Sequence, residues 1–284
     1  MKTFVSFFVL AIMIAGISTV AKAQILDSPR DGIYDKIHVS EKKPIPYTPV
    51  READVAWQKR IWRTIDLRQK INHVFYYPET QKKEWKNFMT VIMDAIREGS
   101  ITAYDPAKDD QFLVPLTYQE IEKKFSSIDT IPVYDPNNPS RILRYDVVKE
   151  DFNPTEVQRI NLKEDWFFDK QRSVMDVRIL GICPIKSVYD ENDNFVGFEE
   201  MFWIYFPEAR PVFAQSIVFN RHNSSERRTY DEIFWKRMFG SYVYKEENVY
   251  DRNITDYASG MDALLEAERV KTELFEMEHE LWEF

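Results

Sequence analysis

The stretch Met175-Asp-Val-Arg-Ile179, followed by the polar run Asp190-Glu-Asn-Asp-Asn194 and the apolar segment 195–206, is where this 284-residue chain changes its period. Met175, Val177 and Ile179 alternate with Asp176 and Arg178, the two-residue repeat of a strand with one buried face. The polar run reads as a turn, 195–206 as the returning strand and 212–219 as a third. An antiparallel meander is the simplest arrangement of the three.

Outside this region the apolar spacing is helical. Asp54 is a suitable N-cap for a helix over 55–71, with Trp57, Ile61 and Ile65 on one face and Trp62 adding a second apolar surface. On such a helix Arg60 and Arg63 lie near Trp62 and nearer the surface, a combination enriched at binding hot spots. These three residues are therefore a candidate partner interface, with Trp62 as ordinary core the alternative. A second helix is predicted over 80–98 from Trp85, Phe88, Met89, Ile92 and Ile96, stopped by Gly99. Thr117-Tyr-Gln-Glu120 and Thr229-Tyr-Asp-Glu232 read as capping boxes, the first opening a helix through Phe125. Residues 135–139 form a loop by composition, and Asn153-Pro154 opens a further short helix. A final helix is predicted over 259–284. The fold class is α+β: helices packed around a small antiparallel sheet, with an extended N-terminal arm and a C-terminal amphipathic helix.

The first residues set the compartment. Lys2, the apolar run 4–20 and Ala21-Lys22-Ala23 make a cleavable export signal, with the cut between Ala23 and Gln24. A retained anchor is the alternative, but the run is short for a spanning helix and the Ala-x-Ala site follows directly. No Cys lies near the cut to be acylated, and the later apolar stretches 179–185 and 201–206 are far too short to span a bilayer. Direct membrane insertion is not expected. Residues 24–52 read as an extended arm, because Pro29, Pro44, Pro46 and Pro49 block a helix; it is either a loose leader or an arm lying on a neighbouring subunit. The expected division is a signal peptide at 1–23, the arm at 24–52, a globular domain at 53–257 and an acidic helix at 258–284. The formal charge of −9 becomes −11 once Lys2 and Lys22 are removed, which disfavours nucleic acid and anionic lipid as partners.

Chemistry is hard to find in the residues. The seven Gly, at 16, 32, 99, 181, 197, 240 and 260, are never closer than 16 positions, so Gly-rich phosphate loops and the hydrolase nucleophile elbow are excluded. The four His, at 38, 73, 222 and 279, are dispersed. Glu276 and His279 make a single Glu-x-x-His pair where di-iron bundles use two. The turn at 190–194 has the alternating Asp/Asn of a calcium loop but carries Phe195 where Gly is required and Met201 where Glu is required. Cys183, the only Cys, sits in an apolar run and reads as a buried structural thiol. No catalytic residue, cofactor site or metal site is expected; an acid–base pair among the many carboxylates stays open.

The terminal helix is the best-patterned segment. Ala263, Ala267, Val270, Leu274, Met277, Leu281 and Phe284 follow a strict 4-3 heptad stripe. Around it eight carboxylates face Arg269 and Lys271 alone, a local charge of −6. Either the stripe docks on its own domain, or Val270, Leu274, Met277 and Leu281 seat in a basic groove of another subunit.

Two longer stretches carry a resemblance. One is Val50-Arg-Glu-Ala-Asp-Val-Ala-Trp57, continuing through Lys59-Arg-Ile-Trp-Arg63, Ile65-Asp-Leu-Arg68 and Tyr76-Tyr-Pro78. The other is Phe202-Trp-Ile-Tyr-Phe-Pro-Glu-Ala-Arg-Pro211 with Asn248-Val-Tyr-Asp-Arg252 and the ending Asp262-Ala-Leu-Leu-Glu-Ala-Glu-Arg269. Together they resemble the gliding-motility GldN family, called PorN in non-gliding relatives. The resemblance implies a non-enzymatic periplasmic component of the type IX secretion system of Bacteroidota. It implies assembly into a ring with an outer-membrane lipoprotein of the GldK/PorK type, contact with the periplasmic part of a GldM/PorM-type motor protein, and self-association within the ring. The rival readings are a periplasmic hydrolase or ligand-binding protein and, more remotely, an outer-membrane barrel. Mass spectrometry of the envelope protein is expected to give a mature chain beginning at Gln24; an intact 1–23 segment defeats that reading.

Overall fold

The computed structural model describes residues 33, 37–82, 84–108, 110–135, 138–150, 152–190, 194–221, 223 and 225–280, with only the backbone course for 127–150. The expected signal segment, its cut at Ala23 and Gln24, and residues 191–193 of the calcium-like turn lie outside the described residues. The strands are β1 (Val55–Asp66), β2 (Ala103–Tyr104), β3 (Pro115–Leu116), β4 (Ser127–Asp135), β5 (Asn138–Glu150), β6 (Val157–Asp169), β7 (Val174–Tyr189), β8 (Phe195–Glu200), β9 (Trp203–Tyr205) and β10 (Tyr242–Glu246). The helices are α1 (His73–Tyr76), α2 (Phe88–Arg97), α3 (Tyr118–Phe125), α4 (Phe206–Gln215), α5 (Tyr230–Trp235) and α6 (Met261–Glu280). Ahead of them a single helical turn, Ile37–Ser40, interrupts the arm that was expected to be extended over 24–52, between Pro29 and Pro44, where no Pro blocks it.

The architecture is α+β around an open antiparallel sheet of order β10-β1-β6-β7-β9-β2-β3, with β8 pairing the same edge of β7 as β9. β4 and β5 form a separate two-stranded ribbon. The sheet is larger than the expected three-strand meander, and β1 is the main correction. Residues 55–66 are a strand where a helix was predicted over 55–71, and Asp54 ends a 3-10 turn (Glu52–Asp54) instead of capping a helix. Trp57, Ile61 and Ile65 share a face at spacing four in either conformation, so that spacing does not discriminate. The ladder to β6 and the Val, Trp, Ile and Thr content favour the strand.

Three further expectations shift. In place of the helix over 80–98, α2 begins only at Phe88, where the Asn87 side chain accepts from Thr90 N at 2.7 Å. Asn153-Pro154 opens a single 3-10 turn, Pro154–Glu156, which leads straight into β6. The third strand expected at 212–219 is not formed: residues 212–215 end α4, a helix that carries Pro211 inside it, and only Ile217 makes a β-bridge, to Thr229. By contrast, the β7 alternation, the α3 capping box and the terminal helix are where the residues place them. Gly99 follows α2 with φ +75, the left-handed conformation a helix stop needs.

One face of the sheet carries Ile65, Ile160, Leu162, Ile182 and Ile204 against α2, α4 and α5. Phe88 is the hub of this core: Phe75, Phe213, Tyr230 and Phe234 lie around its ring at 5.0–5.4 Å between centroids. The buried Tyr230 hydroxyl donates to Lys86 O at 3.0 Å. Further along β1, Ile61 joins Val243 beneath α6. The opposite face buries Trp62, Cys183 and Trp203 beside Tyr104, Phe112 and Tyr244. Gly181 leaves Phe112 room on that face, since a Cβ there would lie 2.7 Å from its ring. Asn72 pins the end of β1 to the segment before β10, donating to Asp66 O and Gly240 O at 2.8 and 2.9 Å and accepting from Gly240 N at 2.8 Å.

Phe88→Ala removes the ring that four others contact, and a cost of about 3–5 kcal/mol is expected. Urea unfolding of the mature chain checks this as a shift of the midpoint.

Candidate functional site

β1 separates the residues that a helix would have grouped. Arg60 and Trp62 point to one side of the sheet and Arg63 to the other. Trp62 is 7% exposed, with Lys163 and Lys245 at 6.0 and 4.6 Å from its ring and its indole N–H donating to Asp110. Arg63 is equally buried; its Nε donates to Ser241 Oγ at 3.1 Å, and burial lowers its pKa against the opposing pull of Glu164. Arg60 alone keeps some exposure, in a forked pair with Asp165 at 2.6 and 3.0 Å that raises its pKa. Of the two readings of Trp62 the core one holds, and the placing of Arg63 near the surface beside it is corrected. Trp62 and Arg63 are interior residues of the folded chain, because strand geometry and not helix geometry places them.

Around Trp62 lies a buried polar cluster. Lys163, almost fully buried, donates to Asp110 O at 2.8 Å and pairs with its Oδ1 at 3.1 Å. Thr64 donates to Asn161 Oδ1 at 2.7 Å, and Asn161 Nδ2 donates to Glu200 Oε1 at 3.0 Å. Burial pushes the Glu200 carboxyl up, while hydrogen bonds from Asn161 and Trp203 oppose the shift. The Tyr244 phenol and the Cys183 thiol are also pushed well up, by burial first and by the Glu200 charge second. That makes Cys183 a poor nucleophile. The cluster locks this face of the sheet by partnered hydrogen bonds. A raised folded-state carboxyl pKa means that the native chain holds the proton longer than the unfolded chain. Stability therefore falls as pH rises from the ordinary Glu value of 4.5 through the raised one. In Glu200→Gln that part of the decline should disappear from stability measured against pH.

Residues that the sequence did not single out form the sharpest ion pairs. Arg210 and Asp231 are both buried and meet at 2.8 Å. Arg237 grips the fully buried Glu164 through both terminal nitrogens at 2.9 and 3.1 Å. Above Arg210 lies Tyr47, stacked on Trp235 at 5.6 Å with the Arg210 and Arg178 guanidiniums 4.4 and 5.1 Å from its ring. Arg178 also donates to Thr48 O, and Lys42 pairs with Glu232 at 2.7 Å. Residues 42–50, without helix or strand, are thus fastened to their own domain. Burial pushes the Tyr47 phenol up to about 12. The cavity beside it holds about 80 Å³.

On α6, Ala267, Val270 and Leu274 are buried against Ile61, Val243 and Ile254, with Ala263 partly buried beside them. Met277 is half-buried, and Leu281 and Phe284 lie outside the described residues. Lys59 links the sheet to the helix, 2.8 Å from Glu246 and 3.5 Å from Glu273. The described part of the heptad stripe therefore seats on the chain's own sheet. The opposite side of α6 is exposed and carries Met261, Leu264, Leu265 and Phe275. A second exposed apolar group, Tyr189, Phe195 and Phe198, makes ring contacts at the β7–β8 hairpin.

Among the described residues no three His, Cys, Asp or Glu side chains are grouped to hold a metal, and no helix is long and apolar enough to cross a membrane. A model of the gliding motility associated protein GldN family matches residues 50–283, and the chain belongs to that family. A comparison with curated proteins returns no match.

Leu274→Asp sets a charge on the seam between α6 and β1, costing on the order of several kcal/mol if it stays buried. The isolated variant should lose roughly 10–20 °C of melting temperature or fail to melt cooperatively. An unchanged transition would mean that α6 is not held by this seam.

Proposed function

We propose that this chain is a non-enzymatic periplasmic structural component of the type IX secretion and gliding-motility machinery. The observation that carries the reading is the GldN family match across 50–283, nearly all of the expected mature chain. In this role it assembles with an outer-membrane lipoprotein of the GldK/PorK type into a ring, associates with further copies of itself, and contacts the periplasmic region of a GldM/PorM-type motor protein. The export signal supplies the compartment, and the lipoprotein supplies the attachment to the outer membrane.

The geometry supports this reading over a periplasmic hydrolase or ligand-binding protein. A small-molecule site encloses roughly 300–1,000 Å³, whereas the cavity beside Tyr47 holds about 80 Å³, and Asp231 and Arg237 in its wall are paired with Arg210 and Glu164. The buried charges around Trp62, Glu164 and Asp231 have structural partners within hydrogen-bond reach. They act as fasteners.

Purification of the tagged full-length protein from native envelopes tests the proposal. The outer-membrane lipoprotein should co-elute in a large particle that appears ring-shaped by electron microscopy, and deletion of the lipoprotein should release the chain from the membrane fraction. Elution as a lone small species, or release unaffected by that deletion, would count against it.

A further inference from the structure

α6 carries two apolar stripes on opposite sides. At 100° per residue, Ala263, Ala267, Val270, Leu274 and Met277 centre on the side that seats on β1 and β10. Met261, Leu264, Leu265 and Phe275 centre on the other side and are 56–69% exposed. Lone exposed apolar residues need no explanation, but these share one face with Glu268, Thr272 and His279 between and beyond them. Met261, Leu265, Glu268, Thr272, Phe275 and His279 follow steps of 4, 3, 4, 3 and 4, a second heptad line along the same helix. Its apolar members form two anchors, 261–265 and Phe275, about 15 Å apart at the helical rise per residue.

The net charge beside this line is negative. Arg269 is tied to Glu266 and Glu273, and Lys271 to Glu268, so both basic side chains of the helix are engaged along it. Asp262, Glu276 and Glu280 flank one side, and Glu278 lies on the other. An occupant must bring apolar side chains at matching intervals and positive charge at its flanks. A second α6 would bring the same negative charge, and like charges juxtaposed across an interface are costly. Anionic lipid is disfavoured for the same reason.

We infer that the outer face of α6 is a docking surface for a basic amphipathic helix of a partner protein, lying alongside α6 with Lys or Arg at its flanks. This names the chemistry of one partner and rests on the reading of the chain as an assembly component. The inner stripe holds α6 in place, and the outer stripe offers it.

The test places a photo-crosslinking phenylalanine analogue at position 265 or 275 of the full chain in native envelopes, with Glu98, exposed beyond the end of α2, as the control position. Mass spectrometry of the adducts should find both positions joined to one segment of another protein, with apolar residues at helical spacing and Lys or Arg beside them. Glu276→Lys should lower the adduct yield roughly tenfold, as charge reversal at a matched interface does. Leu265→Lys with Phe275→Lys should keep the wild-type melting temperature, because both sites are exposed, and abolish co-sedimentation with that partner. Adducts to a second copy of this chain, adducts to lipid, or a yield no higher than at the control position each overturn the inference. If the double variant still sediments in the large envelope particle with its partners, the assembly role stands and this surface falls. If the unmodified chain sediments alone, the assembly role falls and the adducts decide the surface by themselves.

Discussion

From Trp57 to Asp66, β1 lies opposite β6 in one unbroken register, Trp57 against Phe168 and Asp66 against Arg159. Side chains alternate along a strand, so this register fixes the face of every residue in β1. Ile61 and Ile65 go to the side covered by helices; Trp62 and Thr64 go to the polar cluster. A slip of one residue would exchange the two sets, bringing a Trp and a Thr beneath α6 and aliphatic side chains into the network of Asp110, Asn161 and Lys163. The helices read what this register presents. Phe88, Phe213 and Phe234 cover the Ile65 half, and Val270 and Leu274 cover the Ile61 half.

The covering is not wholly apolar, and that decides how α6 is held. Lys59 and Arg63 share the inward face with Ile61 and Ile65. A charge on a buried face is costly unless paired. Lys59 meets Glu246 and Glu273; Arg63 has Ser241 Oγ and the field of Glu164, which Arg237 balances in turn. Glu273 comes from the terminal helix, so α6 supplies both an apolar lid and a counter-charge. Its heptad stripe serves the fold before any assembly.

The same paired charges explain what could be read from the residues alone. In β7, Asp176 and Arg178 fall between Met175, Val177 and Ile179, and the alternation is plain. In β1 the odd positions read Trp57, Lys59, Ile61, Arg63, Ile65, and the two cations hide the two-residue period. The apolar remainder at spacing four then imitates a helix. A β-branched count over 55–66, with Val55, Ile61, Thr64 and Ile65, was the signal that could have decided it. Pro211 concealed α4 in the same way, because an interior Pro argues against a helix that tertiary packing nevertheless keeps. The terminal helix was legible over its described residues, 261–280, and its inner stripe marked an apolar seam at Ala267, Val270 and Leu274. Its outer stripe was not, because Met261, Leu265 and Phe275 are broken by Glu268 and Thr272, and only exposure in the fold separates them from the core set. The Arg210–Asp231 and Arg237–Glu164 pairs were beyond reach, since their partners are 21 and 73 residues apart.

Burial takes in charges of both signs, and this shapes what the surface can attract. Arg63, Lys163 and Arg210 are buried together with Asp66, Glu164, Asp169 and Asp231, and Arg237 is committed to the fully buried Glu164. Each is matched inside the protein, whereas the chain's formal balance of −9 leaves an excess of carboxylates. That excess has to be accommodated outside, and α6 takes −5 of it within its 20 residues, 261–280. Charge of one sign gathered on one helix acts on approaching molecules within about a Debye length, near 8 Å at physiological salt. It speeds encounter with cationic surfaces and disfavours its own kind. The charges paired inside hold the fold, and the carboxylates left over on α6 give its surface one sign, so cohesion within and selectivity without come from the same distribution of charge.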